Sequence, residues 1–360
     1  MSSFRVVHVS VRRLRNIDHA EVELDEGQNL LIGGNGQGKT TVLEALYMLG
    51  STRSFRGSRP AEVMQHGSRE SSVRGSVLSR DLRSEIAVTI TEQGRIVRVD
   101  GKPAEMSTHF GRFPMVAFHP GDLDLVVGGP AVRRRFLDRM LFQAQPGYPT
   151  WFREYQRALR SRNELLKRGD GEQEVRAFDR VMAVNGARMA KGRHRLSEML
   201  AVEVARALEE LGVEPFGLRL RAGAEPDEEA LYRALIDSLA TDRRRCRTTV
   251  GPHTDDIELT RPTGLARVVA SRGEARSLAV SLRLGERRVI ARCASIMPVL
   301  LLDDVWAELD RERVELVLTM VASEPGQVVV TGTGVSEPVA VRSWRRLEVV
   351  AGRVVETRRS

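Results

Sequence analysis

The sequence predicts an α/β protein: a nucleotide-binding unit with a mixed sheet, an accompanying antiparallel sheet and an inserted α-helical domain. Three observations predict it. A glycine-rich loop, Gly33 to Thr40, lies between a short apolar run and a helix-patterned stretch. Apolar runs and a helical pattern alternate again between 298 and 331, as in a parallel-sheet unit. Between these ends, the residues after about 122 change to long helical periodicities.

Taken in order, residues 4–11 and 20–24 read as strands, with Ala20, Val22 and Leu24 alternating against Glu21 and Glu23. Asn29 to Ile32 reads as a buried strand. The loop Gly33-Gly34-Asn35-Gly36-Gln37-Gly38-Lys39-Thr40 follows, fitting the pattern of a glycine, four residues, then Gly-Lys-Thr. From Thr41, residues Val42, Ala45, Leu46 and Leu49 recur at helical spacing, with Gly50 as the expected stop. Strand, loop and helix together aim backbone N–H groups and a helix's positive end at a polyphosphate. The glycines let the backbone wrap phosphates without Cβ clashes. Lys39 would supply a compact charge to the β- and γ-phosphates, and the Thr40 hydroxyl would hold Mg²⁺. Lysine occurs only at 39, 102, 167 and 191 in a chain whose other bases are arginine, so this one marks a place for a point charge.

Ile86, Val88 and Ile90 on one side, then Ile96, Val97 and Val99 before the turn Asp100-Gly101, predict an antiparallel sheet after the loop. Helices are predicted over 151–168, with Arg153, Arg157, Arg160 and Arg162 off the apolar face, and over 178–211, joined by Gly169-Asp170-Gly171. Strand character returns at 256–260 and 265–270, followed by a helix over 274–292. Next come a buried strand at 298–302, a helix over 311–321 and a buried strand at 327–331. The expected domains are 1–122 with 250–360 as one discontinuous unit, and 123–249 as the helical insertion.

At 360 residues and 41% hydrophobic content the chain has ample core, and a net charge of +8 makes a polyanionic partner plausible. Two cysteines give no disulfide framework and fit a reducing cytoplasm. No run approaches the ~20 apolar residues of a membrane span, so a soluble cytoplasmic protein is expected. Arg133-Arg134-Arg135 reads equally as a solvated helix face or as a phosphate contact. With no interleaved aromatics, any DNA contact here would be to backbone and independent of sequence.

Asp303 and Asp304 end the strand at 298–302, where parallel sheets present ligand-facing residues. Asp303 is the expected partner of the Mg²⁺ on Thr40, and Asp304 the group that orients or deprotonates an attacking water. Ser271-Arg272-Gly273-Glu274 opens a helix and reads either as an anion site or as a plain N-cap. Gly251-Pro252 marks a turn, so His253, Asp255 and Asp256 read as a turn leading into a strand, not as a zinc site.

These stretches resemble the heads of ABC-type ATPases, SMC proteins and related DNA-repair ATPases. The likeness rests on Asn35 within GGNGQGKT, the opening Arg15-Asn16-Ile17, LLLDDVWAELD and the Ser-x-Gly-Glu signature. Ser54-Phe55-Arg56, Gly128-Gly129-Pro130, Arg133 to Asp138 and Gly251 to Asp256 narrow it to the RecF family of bacterial recombination mediators. The resemblance implies an ABC-type P-loop head and a slow, DNA-dependent ATPase using ATP and Mg²⁺. It implies an ATP-dependent homodimer on double-stranded DNA at gaps or junctions, promoting recombinase loading with RecO and RecR. It places Arg15, Asn16, Gly33 to Thr41 and Asp303 at the nucleotide of one subunit, capped by Ser271, Gly273 and Glu274 of the other. The superfamily usually has glutamate at the second acid; Asp304 is one methylene shorter, as in RecF proteins. No glutamine occupies the metal-sensing loop, where His119 is a positional candidate, and Gly121 stands where an acid is usual. Thr331-Gly332-Thr333 replaces the switch histidine. The competing readings are a transporter's nucleotide-binding subunit and a non-hydrolysing, ATP-gated DNA scaffold.

Overall fold

The computed structural model of the protein describes residues 2–56, 59–80, 82–105, 109, 111–333 and 337–356. Two sheets enclose one helix. The first is antiparallel and joins β1 (Ser2–Leu14), β2 (Ile17–Glu23), β4 (Glu70–Ser79), β5 (Leu82–Thr91), β6 (Gly94–Val99) and β7 (Lys102–Pro103), with a two-residue strand, β12 (Ile296–Met297), pairing parallel to the start of β1. The alternation read from Ile86, Val88 and Ile90 holds: all three are buried, and Asp100 and Gly101 both take positive φ in the β6–β7 turn.

The second sheet runs β16 (Arg353–Glu356), β15 (Arg345–Val350), β3 (Gln28–Ile32), β14 (Val328–Gly332), β13 (Val299–Leu302) and β8 (Met115–Phe118). Every pairing from β15 to β8 is parallel, and β16 folds back antiparallel on β15. At β3, β14, β13 and β8 both faces are buried, which explains their unbroken apolar runs. Leu31, Leu301 and Val329 face α1 (Lys39–Ser51), whereas Leu30, Leu302 and Val330 face a second core on the helical side.

Helix α1 lies between the sheets and is buried from Thr41 through Gly50. The sequence expectation that Gly50 stops it is wrong: the helix runs through Gly50 and ends at Thr52, whose φ is 57°. Gly50 is there for close packing, since a Cβ would lie 2.2 Å from the Phe113 carbonyl oxygen.

Between the halves of this unit lie α2 (Pro130–Ala144), α3 (Tyr148–Arg168), α4 (Asp179–Glu210), α5 (Glu228–Asp237) and α6 (Leu239–Arg245). The turn expected at Gly169 caps α3 in the left-handed region at φ 78°. A strand that periodicity did not reveal, β9 (Gly217–Arg221), pairs with β10 (Asp256–Arg261) and ties this region to the chain that follows. The strand expected over 265–270 does not form beyond the two residues of β11 (Gly264–Leu265). Instead Ala266–Val269 makes one helical turn, closed by the Ala270 amide on the Ala266 carbonyl at 2.9 Å. Only Ala266 of that turn is buried and Val268 is 76% exposed, so no second core face exists for an alternating strand to fill. Helix α7 (Arg272–Ala294) then crosses the helical face of the parallel sheet, and α8 (Arg311–Ser323) links β13 to β14. Among the described residues no helix is long and apolar enough to cross a membrane.

Buried arginines hold the helical region together. Arg162, expected on an open helix face, is fully buried and bonds Asp179 at 2.8 Å and Asp242 at 2.7 Å. Arg193 joins Asp138 and Asp255, and Arg133 grips Asp256 through two bonds at 2.8 and 3.0 Å. Buried charges persist only when paired and hydrogen-bonded, as these are.

Candidate functional site

The loop after β3 meets the N-terminus of α1 with its backbone already curled. Gly33, Gly36 and Gly38 have φ of 152°, 77° and 110°. At Gly33 a Cβ would lie 2.3 Å from the Val349 carbonyl oxygen, so only glycine fits there. No side chain caps α1 at Gly38 and no acid sits in its first turn, leaving amides and a positive helix end for an anion. Lys39 Nζ donates to the Gly33 and Gly34 carbonyls at 2.7 and 2.8 Å. Burial lowers the Lys39 pKa, against the pull of Asp304 and then Asp303. An anion in the loop would relieve that cost.

The loop is braced on two sides. Asn16 donates to the Gly36 carbonyl and accepts from Thr41 Oγ1, both at 2.8 Å. Arg15 clasps the buried Glu44 of α1 at 2.8 and 2.9 Å and also bonds the Glu62 carbonyl. Its guanidinium thus secures the segment that carries Asn16. On the other side the β15–β16 turn reaches in: the Ala351 amide donates to Gln37 Oε1 at 2.6 Å and the Gly352 amide to the Gln37 carbonyl at 2.9 Å.

Register then delivers the acids. Leu302 pairs with Phe118 and with Val330, so Asp303, His119 and Thr331 emerge side by side at the ends of β13, β8 and β14. Thr40 Oγ1 donates to Asp303 Oδ1 at 2.9 Å, joining residues 263 apart in sequence. Burial raises the Asp303 pKa, and the Thr40 and Thr331 hydroxyls oppose this. A carboxylate and a hydroxyl oxygen on one small volume, beside a phosphate loop, suit a hard divalent cation. Asp304 takes left-handed backbone at φ 52°, and its amide donates to Thr331 Oγ1 at 2.9 Å.

Thr331 therefore touches both aspartates, a role sequence reasoning missed because a threonine ending a buried strand has no motif. Arg56 was missed as a site residue too: exposed on the loop after α1, it acts electrostatically on both Asp303 and His119. His119 stacks on Phe55 with ring centroids 5.2 Å apart, accepts from the Gly121 amide through Nδ1, and is kept toward the neutral form by burial. Behind it Asp122 is gripped by Arg283 of α7 at 2.6 and 3.0 Å.

Ser271 begins α7 as a full capping box: its hydroxyl accepts from the Glu274 amide at 3.3 Å, and its own amide donates to Glu274 at 2.8 Å. The Ser271 amide and the Arg261 guanidinium hold the Glu274 carboxyl down to about 2. Among the described residues no hydrogen bond or ion pair joins Ser271 to Glu274 with Gly33 to Thr41. The structure thus gathers Asn16, the loop, Thr41, Asp303 and Asp304, and bonds Ser271 and Glu274 to each other and to Arg261 instead. Arg133, one of three arginines read as solvated or phosphate-bound, does neither, being buried on Asp256, and Arg134 bonds the Asp255 carbonyl. His253 is held between Tyr155 at 2.7 Å and the Thr248 carbonyl at 3.0 Å.

The family model described as RecF/RecN/SMC N terminal domain matches residues 5–339. The DNA replication and repair protein RecF of Geobacter sulfurreducens is 36% identical over 338 residues, covering 91% of this chain and 92% of that protein. The protein of the same name from Myxococcus xanthus is 36% identical over 344 residues, covering 91% and 90%. A solved structure of the recombination mediator protein RecF with ATP, in the RecFOR pathway, superposes with a TM-score of 0.87 at 30% identity, over 99% of this chain and 98% of that one. The Smc head domain from Pyrococcus furiosus superposes at 0.56 with 16% identity over 98% and 96%, a likeness of fold alone.

Proposed function

The chain belongs to the RecF family, and from that premise we propose that it is an ATP-gated, DNA-binding switch of recombinational repair. Its fold is an ABC-type ATPase head with inserted helices. In the proposed division, residues 1–122 and 250–360 form the head and 123–249 the arm.

Gly33 to Thr41 would cradle the phosphates of ATP, with Lys39 exchanging its two carbonyl partners for β- and γ-oxygens. Thr40 and Asp303 would hold Mg²⁺. Asn16 would keep the loop open at Gly36, and Arg15 would position Asn16. ATP supplies the γ-phosphate that only a second subunit can cap, and Ser271, Gly273 and Glu274 of that subunit would do so. Asp304 would orient the attacking water; its shorter acid side chain favours slow turnover, as suits a switch. Loss of the γ-phosphate would remove the anion shared across the interface and open the dimer, releasing double-stranded DNA. The wider reading, loading of recombinase at gaps with RecO and RecR, rests on the RecF relatives.

The Thr40–Asp303 contact at 2.9 Å carries the nucleotide assignment, because no local pattern would bring those two groups together. Sedimentation with ATP, ADP or no nucleotide, with and without duplex DNA, tests the switch. Dimer is expected only with ATP, with Lys39→Met abolishing it through lost nucleotide binding. Ser271→Arg should bind ATP as a monomer yet fail to dimerise. A Lys39→Met protein that still dimerises with ATP would defeat the loop assignment, and a Ser271→Arg protein that dimerises normally would defeat capping in trans.

A further inference from the structure

The far end of the helical region gathers exposed basic side chains from two helices. Lys167 and Arg168 end α3, and Arg243, Arg244 and Arg245 end α6, with Arg247 just beyond; all six are exposed. The two segments are one surface. Arg243 donates to the Asp170 carbonyl at 3.0 Å, Thr248 bonds Asn163 at 2.8 Å, and Leu166, Val175 and Leu239 form a small core beneath.

Residues 164–176 and 237–249 also carry acids: Glu164, Asp170, Glu172, Glu174, Asp237 and Asp242. Among the described residues Asp170, Glu174 and Asp237 form no ion pair, and the other three are engaged. Glu164 meets Lys167 at 3.5 Å, Glu172 is held by Arg176 at 3.1 Å, and Asp242 is buried on Arg162. Among the described residues, none of Arg168, Arg243, Arg244, Arg245 and Arg247 forms an ion pair. Deeper in the same chain, arginines 133, 162, 193, 283, 287 and 288 all have carboxylate partners. Complementing helix dipoles explains only part of the cluster. Two helix C-termini present about one negative charge in total, against five arginines without an ion pair among the described residues.

We propose that this end of the helical region is a phosphate-backbone contact for duplex DNA, separate from the nucleotide site. The proposal rests on the reading of the protein as a DNA binder and adds where part of that contact lies. Planar guanidinium forks suit phosphate oxygens. No aromatic residue lies within 164–176 or 237–249, so the surface offers no base stacking and no sequence reading. Arg157 and Arg160, exposed on α3 and likewise unpaired among the described residues, extend the basic track along the helix. The α3 helix, about 30 Å long, sets the cluster well away from its anchored start, where Tyr148 bonds Asp138.

The test uses the full chain with Mg²⁺ and ATP and a labelled duplex of mixed sequence, titrated between about 50 and 200 mM salt. Replacing Arg244, Arg245 and Arg247 by alanine should flatten the slope of log affinity against log salt by about 2 to 3, near 0.9 per lost phosphate contact. Nucleotide binding should be unchanged. Cys246, exposed amid the cluster, gives a readout on the unaltered protein. Duplex should slow its alkylation several-fold while leaving the half-buried Cys293 unaffected. Equal slopes, or Cys246 equally reactive with and without duplex, would overturn the proposal while the DNA-binding reading stands; an acidic protein as the true partner gives that result. A wild-type chain that binds no duplex with ATP overturns both.

Discussion

Thr331→Val puts the least obvious member of the site to the test. Valine matches threonine in shape, so no cavity opens, and only the hydroxyl is lost. That hydroxyl donates to Asp303 Oδ1 at 3.0 Å and accepts from the Asp304 amide at 2.9 Å. Thr331 is 1% exposed, so water does not readily replace it. Leaving the Asp304 amide without its acceptor costs about 1–3 kcal/mol. Asp303, already raised by burial, loses one of the two side-chain hydrogen bonds that favour its ionised form, so its pKa rises further. If about 2 kcal/mol of this appears in cation binding, Mg²⁺-dependent ATP affinity falls roughly 30-fold. The sign with pH follows. A proton competes for Asp303 over a wider range, so the variant's deficit grows from neutral to mildly acidic pH. Titration calorimetry of ATP with and without Mg²⁺ at two pH values measures both effects. Thr331→Ser, which keeps the hydroxyl, should restore most of the affinity. A valine variant within about twofold of wild type at both pH values would refute the idea that Thr331 organises the acidic pair.

Asp304→Asn should bind ATP and DNA but slow phosphate release by at least about 100-fold, the usual loss for a removed base, and so hold the dimer; unaltered turnover excludes Asp304 from the chemistry. Glu274 should titrate near 2 in a carboxyl NMR experiment, because the Ser271 amide and then Arg261 favour its anion. Its folded value lies below the ordinary 4.5, so its support for the cap is complete above pH 4.5 and lost as pH falls toward 2; a midpoint near 4.5 contradicts the capping box. Arg162→Met strands Asp179 and Asp242, both fully buried. It should cost about 3–5 kcal/mol in urea unfolding, and a loss below about 1 kcal/mol would mean the triad is not needed for stability.

Local chemistry was legible in the sequence, and distant pairing was not. The phosphate loop announces itself because glycines, lysine and threonine must be adjacent to act together. Asp303 and Asp304 are legible because a wholly apolar strand ending in two acids has little other purpose. The sheet strands β3, β13 and β14 stand out because burial on both faces demands unbroken apolar runs. By contrast, β9 has the pattern of alternating half-exposed and exposed residues, with two arginines, and reads as a loop until β10 pairs with it. The sites of Arg133, Arg162 and Arg193 were illegible for a related reason. An arginine is written the same way whether its carboxylate is solvent or a buried aspartate 123 residues away, as for Arg133 and Asp256. Thr331 is the same case at the site itself, visible only once β13 and β14 are in register.

The hold of the β15–β16 turn on Gln37 has a bearing on how the protein is made. The bond from the Ala351 amide to Gln37 spans 314 residues, and β3 is completed on one side by β14 and on the other by β15. A nascent chain displays the whole glycine loop early in translation, while the strands that flank it are still to be synthesised. The bonds that hold Gln37 can form only when translation is nearly done. The full set of braces is thereby a property of the finished polypeptide, and a chain truncated before residue 345 would carry the phosphate-binding motif with Asn16 on one side and nothing holding Gln37 on the other.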